Sequence, residues 1–352
     1  MKKMNYEISF YKKEDFDAVQ ELIIASYQWE APFVGISRTI FCEAMTTEFN
    51  KYENAWEHTV GVVRENKKVV ACIWNEGEYD GVQFFLVDKK ERYEDRELLE
   101  MMLKFAKTYG AGLKEDGRTR CVNLFIPSWN KKLAAFAEEH GLAAGNWKDE
   151  RWVLPFKNEA FEVKLPDGYT IVDGAKTPDF YLSNIHMMGF NYGKGELAVD
   201  TGVNGIHRLR QSKYYNPNYD LCVLDENKMP VAFCIIWYQE GASYCEMEPL
   251  ACAWWARRKG LATALIHEAA KRVMKDHPDC QGMSGGDQPF YNAIGFEKWG
   301  EATAYYWEKK IYISWESESL EQDLSLEYQT EYQEKVMRNL LREDCYHFVT
   351  ML

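Results

Sequence analysis

Trp255-Ala256-Arg257-Arg258-Lys259-Gly260-Leu261-Ala262-Thr263-Ala264-Leu265-Ile266-His267-Glu268 is the stretch that decides the fold. An apolar run precedes it, and Leu261, Leu265 and Ala269 recur on or near one face of the helix that opens at the glycine. A glycine lets the backbone pass close to an anion. The first helical amides have no partner inside the helix, and the helix dipole adds a favourable field at that end. A strand–loop–helix of this kind suits a pyrophosphate. Arg257, Arg258 and Lys259 bring positive charge to its mouth, Leu261 and Ala262 bring amides, and Thr263 brings a hydroxyl.

The pattern on either side gives two halves with one plan. In the second half, Tyr169-Thr170-Ile171-Val172 reads as a strand and Thr177-Pro178-Asp179 as a helix start, with a hydroxyl cap, a proline in the first turn and an acid near the positive end. Gly189 to Asn218 reads as irregular. Strands follow near Asp220 to Leu224, Pro230 to Gln239 and Ser243 to Cys252, then a helix from about Lys259 to Lys275. A short strand near Met283, a helix from Gln288 and a strand ending near Lys310 complete it. The first half runs strand (Tyr6 to Phe10), helix (Lys13 to Tyr27), strands (near His58 to Arg64, Val69 to Trp74 and Val82 to Val87), helix (Arg92 to Tyr109), strand (Cys121 to Ile126), helix (Asn130 to His140) and strand (Arg151 to Pro155). Ala135 to Leu142 echoes Pro289 to Phe296, which argues for duplication of one α+β unit. The pattern breaks at Lys157-Asn158-Glu159 and Pro166-Asp167-Gly168. The expected domains are therefore 1–156 and 165–312, with an acidic and then helical extension over 313–352.

Arg257-x-x-Gly260-x-Ala262 followed by Tyr291-x-x-x-Gly295-Phe296 resembles the GNAT superfamily of N-acetyltransferases. The resemblance rests on these motifs from about Tyr169 to Lys310, and on element order alone from Tyr6 to Pro155. It implies two tandem GNAT-like domains of the α+β class, each a mixed, mostly antiparallel sheet flanked by helices. It also implies acetyl-CoA as co-substrate, with its pyrophosphate at Arg257 to Thr263 and its pantetheine arm along Met247 to Cys252, including Leu250, Ala251 and Cys252. Many members carry Asn seven residues before the motif tyrosine; this chain has Ser284, followed by Gly285-Gly286-Asp287, and Asp287 reads as a helix cap. Setting Leu98-Leu99 against Leu265-Ile266 puts Tyr93 opposite Gly260 and Asp95 opposite Ala262, and the echo of Pro289 to Phe296 in Ala135 to Leu142 puts Ala137 opposite Tyr291. The first copy thus lacks both motifs and reads as degenerate.

Acyl transfer to an amine needs a base for the amine proton, donors for the oxyanion and an acid for the thiolate. Tyr291 is the candidate acid, because a phenol near pKa 10 is a suitable donor to a thiolate. Glu246 and Glu248 alternate on one strand face and are the candidate bases. Glu246 is preferred as base and Glu248 as the group that orients the amine. A backbone amide near Ala251 or Cys252 is the expected oxyanion donor. Cys245 and Cys252 read as small packed residues and not as nucleophiles. Phe190, Tyr192, Tyr214 and Tyr215 are candidate walls of the acceptor pocket.

Nine scattered cysteines without a C-x-x-C pair, and seven histidines without ligand spacing, argue against a disulfide framework or a metal. Met1-Lys2-Lys3 leads into mixed polar sequence, so no targeting or membrane segment is expected and a cytoplasmic setting fits. A net charge of −13 argues against nucleic acid and for a cationic partner such as a small amine. The expected activity is acetyl-CoA-dependent N-acetylation of a small primary amine; the alternative is a non-enzymatic acyl-CoA-binding regulator.

Overall fold

The structure, a computed structural model, describes residues 6–32, 56–75, 81–114, 116–156, 161–190 and 198–310. In chain order these form β1 (Tyr6–Phe10), α1 (Phe16–Ser26), β2 (Gly61–Glu65), β3 (Lys68–Trp74), β4 (Val82–Val87), α2 (Arg96–Phe105), β5 (Gly112–Leu113), β6 (Thr119–Pro127), α3 (Lys131–Glu139) and β7 (Ala143–Pro155). They continue with β8 (Thr170–Asp173), α4 (Asp179–Gly189), α5 (Ala198–Gln211), β9 (Asp220–Leu224), β10 (Pro230–Trp237), β11 (Cys245–Cys252), α6 (Leu261–Asp276), β12 (Gly282–Gly285), α7 (Pro289–Ala293) and β13 (Glu297–Lys310). The extension 313–352, Tyr192 and Lys157-Asn158-Glu159 lie outside the described residues.

Two compact units are present, and no single cut in the chain separates them. Within the described residues, the first takes 6–22, 56–148 and 302–310, and the second takes 23–32 and 149–301. The first unit therefore includes the end of β13, and the second includes the last turn of α1 and the end of β7.

In the first unit the strands run β1-β2-β3-β4-β6-β13. Neighbours are antiparallel except β4 and β6, which pair in parallel at Val82↔Asn123 and Gln83↔Leu124. Leu98, Leu99, Met102 and Leu103 of α2 are spaced three and four apart, and they bury one helix face against Val63, Ile73, Phe85 and Val122. The Asp95 carboxylate caps α2: it accepts from the Leu98 amide at 3.2 Å and from the Tyr6 hydroxyl at 2.6 Å.

The second unit orders its strands β7-β12-β11-β10-β9-β8, again antiparallel but for one pair, β11 with β12. Leu261, Leu265, Ile266, Ala269, Ala270 and Val273 of α6 bury against one sheet face. Leu182, Ile185, Ile206 and Leu209 of α4 and α5 cover the other, against Phe233, Ile235, Trp237 and Ala251. Both units are thus mixed, mostly antiparallel sheets flanked by helices, as the element order implied.

Local readings differ from the structure in four places. The stretch expected to be irregular holds α5, whose Gly202 and Gly205 lower its intrinsic helix propensity; burial of Ile206 and Leu209 overrides that. β7 begins at Ala143, well before Arg151. α4 has Pro178 at its cap position with no side-chain cap bond, so Thr177 does not cap it; the Asp179 carboxylate binds Arg210 and His207 instead. Asp287 does not cap α7 either, where Gln288 holds the cap position, again without a side-chain bond.

Asp95→Ala removes the cap of α2 and the acceptor of the Tyr6 hydroxyl. Urea denaturation is expected to show a loss of about 1–2 kcal/mol, and an unchanged midpoint would contradict the capping role.

Candidate functional site

β11 pairs with β12 only at Cys245↔Met283 and Glu246↔Ser284. Beyond that pair its other edge stays with β10 as far as Ala232↔Cys252. Two steps on β10, from Cys234 to Ile236, match three on β11, from Leu250 to Met247, so β11 bulges at Glu248-Pro249. From Met247 to Cys252 no pairing with β12 is present, and a strand edge of this kind offers amides and carbonyls to an extended ligand. Gly189, at the end of α4, presses on the same strand: a Cβ there would lie 2.9 Å from Ala251 Cβ and 3.2 Å from the Cys252 nitrogen.

The strand leads to the loop quoted at the outset. Gly260 caps α6 in the left-handed conformation, at φ 79° and ψ 4°. A Cβ on Gly260 would meet nothing within 4 Å, so the approach to the helix end is open. The Ala264 amide bonds the Gly260 carbonyl at 2.9 Å, and the amides before it, on Leu261, Ala262 and Thr263, belong to the unsatisfied first turn. The three cations divide. Arg257 donates to the Gly189 and Met188 carbonyls at the end of α4, and Lys259 donates to the Tyr169 hydroxyl at 2.7 Å. Arg258 is exposed, with φ 60°. Arg257 therefore ties the loop to α4 as well as adding charge.

Glu246 is 6% exposed. It accepts from the Tyr27 hydroxyl at 3.3 Å and faces the Arg151 guanidinium at 3.8 Å. Tyr27 stacks on Tyr244 with centroids 4.7 Å apart. Burial, then the charge of Glu246, push the Tyr27 phenol well above its ordinary range. Burial works against the Arg151 guanidinium, but Glu246, Tyr244 and Asp149 outweigh it and its pKa is raised. Glu248 is half-buried and close enough to Tyr291 for its charge to be felt there. Burial first, then Glu248, raise the Tyr291 phenol, which is therefore protonated at neutral pH.

The motif turn is built by packing. The Gly295 amide bonds the Asn292 carbonyl at 3.2 Å and the Phe296 amide bonds the Tyr291 carbonyl at 3.0 Å, with Gly295 at φ 98° closing α7. Phe296 is 1% exposed and sits edge-on to Tyr291. A Cβ on Gly285 would lie 2.7 Å from Phe296, and one on Gly286 would lie 2.6 Å from the Tyr291 ring. The two glycines after Ser284 let β12 approach these rings.

The same places in the first unit are filled. Asp95, and not Tyr93, holds the cap position that Gly260 holds in α6, so a carboxylate already sits at the start of α2 and takes the Leu98 amide. The Tyr93 hydroxyl donates to the Phe85 carbonyl on β4 at 2.7 Å. Arg92 is buried and spent on Asp88 and Glu65. An anion meets no open helix end there.

Burial pushes the Cys252 thiol up to about 11 despite Arg257 and Lys259, and lifts Cys245 well above its ordinary value, so neither is a thiolate at neutral pH. Tyr215 donates to Asp220 at 2.8 Å, and Tyr214 and Tyr215 both pack on the α4/α5 core; Phe190 is exposed. Sequence reasoning missed Tyr27 and Arg151. Both lie far from Glu246 along the chain, and no motif marks them.

No family model matches the sequence, and no curated protein matches it. Among solved structures, the chain is similar in fold to a tandem GNAT protein from the clavulanic acid biosynthesis pathway, solved without acetyl-CoA: TM-score 0.54 and 16% identity, over 88% of this chain and 100% of that one. A GCN5-related N-acetyltransferase from Sphaerobacter thermophilus gives 0.50 and 12%, over 88% and 97%. The chain has the GNAT fold.

Arg151→Ala would leave the Glu246 carboxylate buried without its cation. A stability loss of about 3 kcal/mol is expected, read by chemical denaturation; a loss below about 0.5 kcal/mol, within the range of ordinary surface substitutions, would show that the pair contributes little.

Proposed function

We propose that this chain, with its GNAT fold, is an acetyl-CoA-dependent N-acetyltransferase whose second unit acetylates a small primary amine by direct transfer. The observation that carries this reading is the conjunction of an open, glycine-capped helix end with a strand edge that has parted from its neighbour, on the strand that carries Glu248.

The residues present fit coenzyme A. The first-turn amides of Leu261, Ala262 and Thr263 would hold the pyrophosphate with Arg258 at the mouth, and the edge from Met247 to Cys252, including Leu250 and Ala251, would hold the pantetheine arm. When bound, the coenzyme supplies an acyl group activated as a thioester. Glu248 takes the proton from the incoming ammonium, leaving a nucleophilic amine. A backbone amide near Ala251 or Cys252 stabilises the negative charge that develops on the carbonyl oxygen. Tyr291 would give its proton to the departing sulfur and regain one from the nitrogen, which sheds its second proton as the amide forms. Glu246 ranks first as base on sequence grounds; its burial against Arg151 and Tyr27 supports a positioning role instead, and supports Glu248 as the base. The first unit, with its filled helix end, serves as scaffold.

Gly260→Glu puts a side chain at a left-handed position and a carboxylate before the pyrophosphate. Acetyl-CoA affinity is expected to fall by about a hundredfold or more, from backbone strain together with like-charge repulsion; unchanged affinity would remove the coenzyme from this loop. Tyr291→Phe is expected to lower kcat by about a hundredfold with coenzyme affinity unchanged. A wild-type rate would leave Tyr291 as packing, whereas acyl-CoA binding with no turnover in the unmodified protein would favour the regulator alternative. Because burial and Glu248 raise the Tyr291 phenol, its deprotonated form is scarce below its ordinary range. The kcat profile should show no alkaline fall up to about pH 10, and a fall near pH 8 would assign the acid elsewhere.

A further inference from the structure

The bulge in β11 is held by a side chain of the neighbouring strand. Neither Glu248 nor Pro249 has a partner in the register of β10 with β11, which passes from Ile236↔Met247 to Cys234↔Leu250. Proline has no amide to give, and the extra residue of a bulge stands outside the ladder. A carbonyl placed there still needs a donor. The Trp237 indole N–H supplies it, donating to the Glu248 carbonyl at 2.5 Å.

The register explains how Trp237 reaches that carbonyl. Trp237 stands opposite Glu246, and its indole extends along the strand to the carbonyl two residues further on. The ring is 2% exposed and belongs to one buried cluster with Phe233, Ile235, Leu182 and Ala251. Tyr215 lies edge-on to it with centroids 6.5 Å apart, and the Tyr215 hydroxyl is tied to Asp220, which Arg210 pairs. The indole is therefore fixed by the α4/α5 layer. One hydrogen bond connects that layer to the peptide between Glu248 and the edge that continues at Leu250.

Resting on the acetyltransferase reading, we propose that Trp237 is a positioning residue for the transfer centre: its indole N–H holds the Glu248 carbonyl, and so fixes both the direction of the Glu248 side chain and the course of the edge from Leu250 to Cys252. Trp237 acts through this peptide and touches neither coenzyme nor amine. A ring without the N–H fills the same core space but leaves the carbonyl to find another donor, and the bulge turns as it does so. The helix end at Gly260 is set by the cap of α6 and does not depend on this bond. The pantetheine arm and the phosphates therefore respond differently to its loss.

The test separates the two ends of the coenzyme. Acetyl-CoA and adenosine 3′,5′-bisphosphate, which lacks the pantetheine arm, are titrated calorimetrically into the full-length protein and into its Trp237→Phe variant. The variant is expected to lose about tenfold in acetyl-CoA affinity and to bind the bisphosphate as the wild type does. Benzothienylalanine at position 237 keeps two fused rings without the N–H and should lose the same factor. Fluorotryptophan there keeps the N–H and should bind as the wild type does. These two analogues decide the matter if the phenylalanine variant does not fold. Unchanged acetyl-CoA affinity without the N–H overturns the proposal, and so does an equal loss for both ligands, which would make Trp237 general packing. A wild-type protein that binds no acetyl-CoA removes the coenzyme reading itself, an outcome distinct from binding that survives loss of the N–H.

Discussion

Two parallel strands that share only the pairs Cys245↔Met283 and Glu246↔Ser284 before they part set the terms for everything else in the second unit. Parting leaves the β11 backbone from Met247 onward without β12, and buried backbone groups need partners. The bulge at Glu248-Pro249 turns the strand at this point, and Gly189 lets α4 close down on Ala251 and Cys252. Gly285 and Gly286 let the diverging strand pass against Phe296 and Tyr291. Each glycine serves a contact that a methyl group would block.

The first unit answers the same problem with its own side chains. β4 and β6 also share two parallel pairs, yet the Tyr93 hydroxyl takes the Phe85 carbonyl and the Asp95 carboxylate takes the Leu98 amide of α2. Arg92 then neutralises the acids gathered there. One architecture is satisfied internally in one copy and left open in the other. The difference comes down to a few residues: an aspartate against a glycine at a helix cap, and a tyrosine hydroxyl on a strand edge.

Much of this is legible in the sequence where the signal is local. The glycine before an amphipathic helix, the Tyr291 to Phe296 turn and the alternation along β11 all place their elements correctly, because each depends on neighbours within one turn or strand. The partners of Glu246 are not local. Tyr27 and Arg151 stand 219 and 95 positions before it, and only the sheet order brings them together. α5 escaped detection because its glycines contradict a helix that tertiary burial enforces. The cap expected of Asp287 failed because α7 starts one residue later than that role requires, with Gln288 in the cap position.

The account stands on one open and one filled helix end per chain. Calorimetric titration of acetyl-CoA into the full-length protein tests it most directly. Binding at a single site per chain is the predicted result. Two sites would show that Asp95 and Tyr93 do not close the first copy, and no binding at millimolar ligand would contradict the reading of Gly260 and β11 as a coenzyme site.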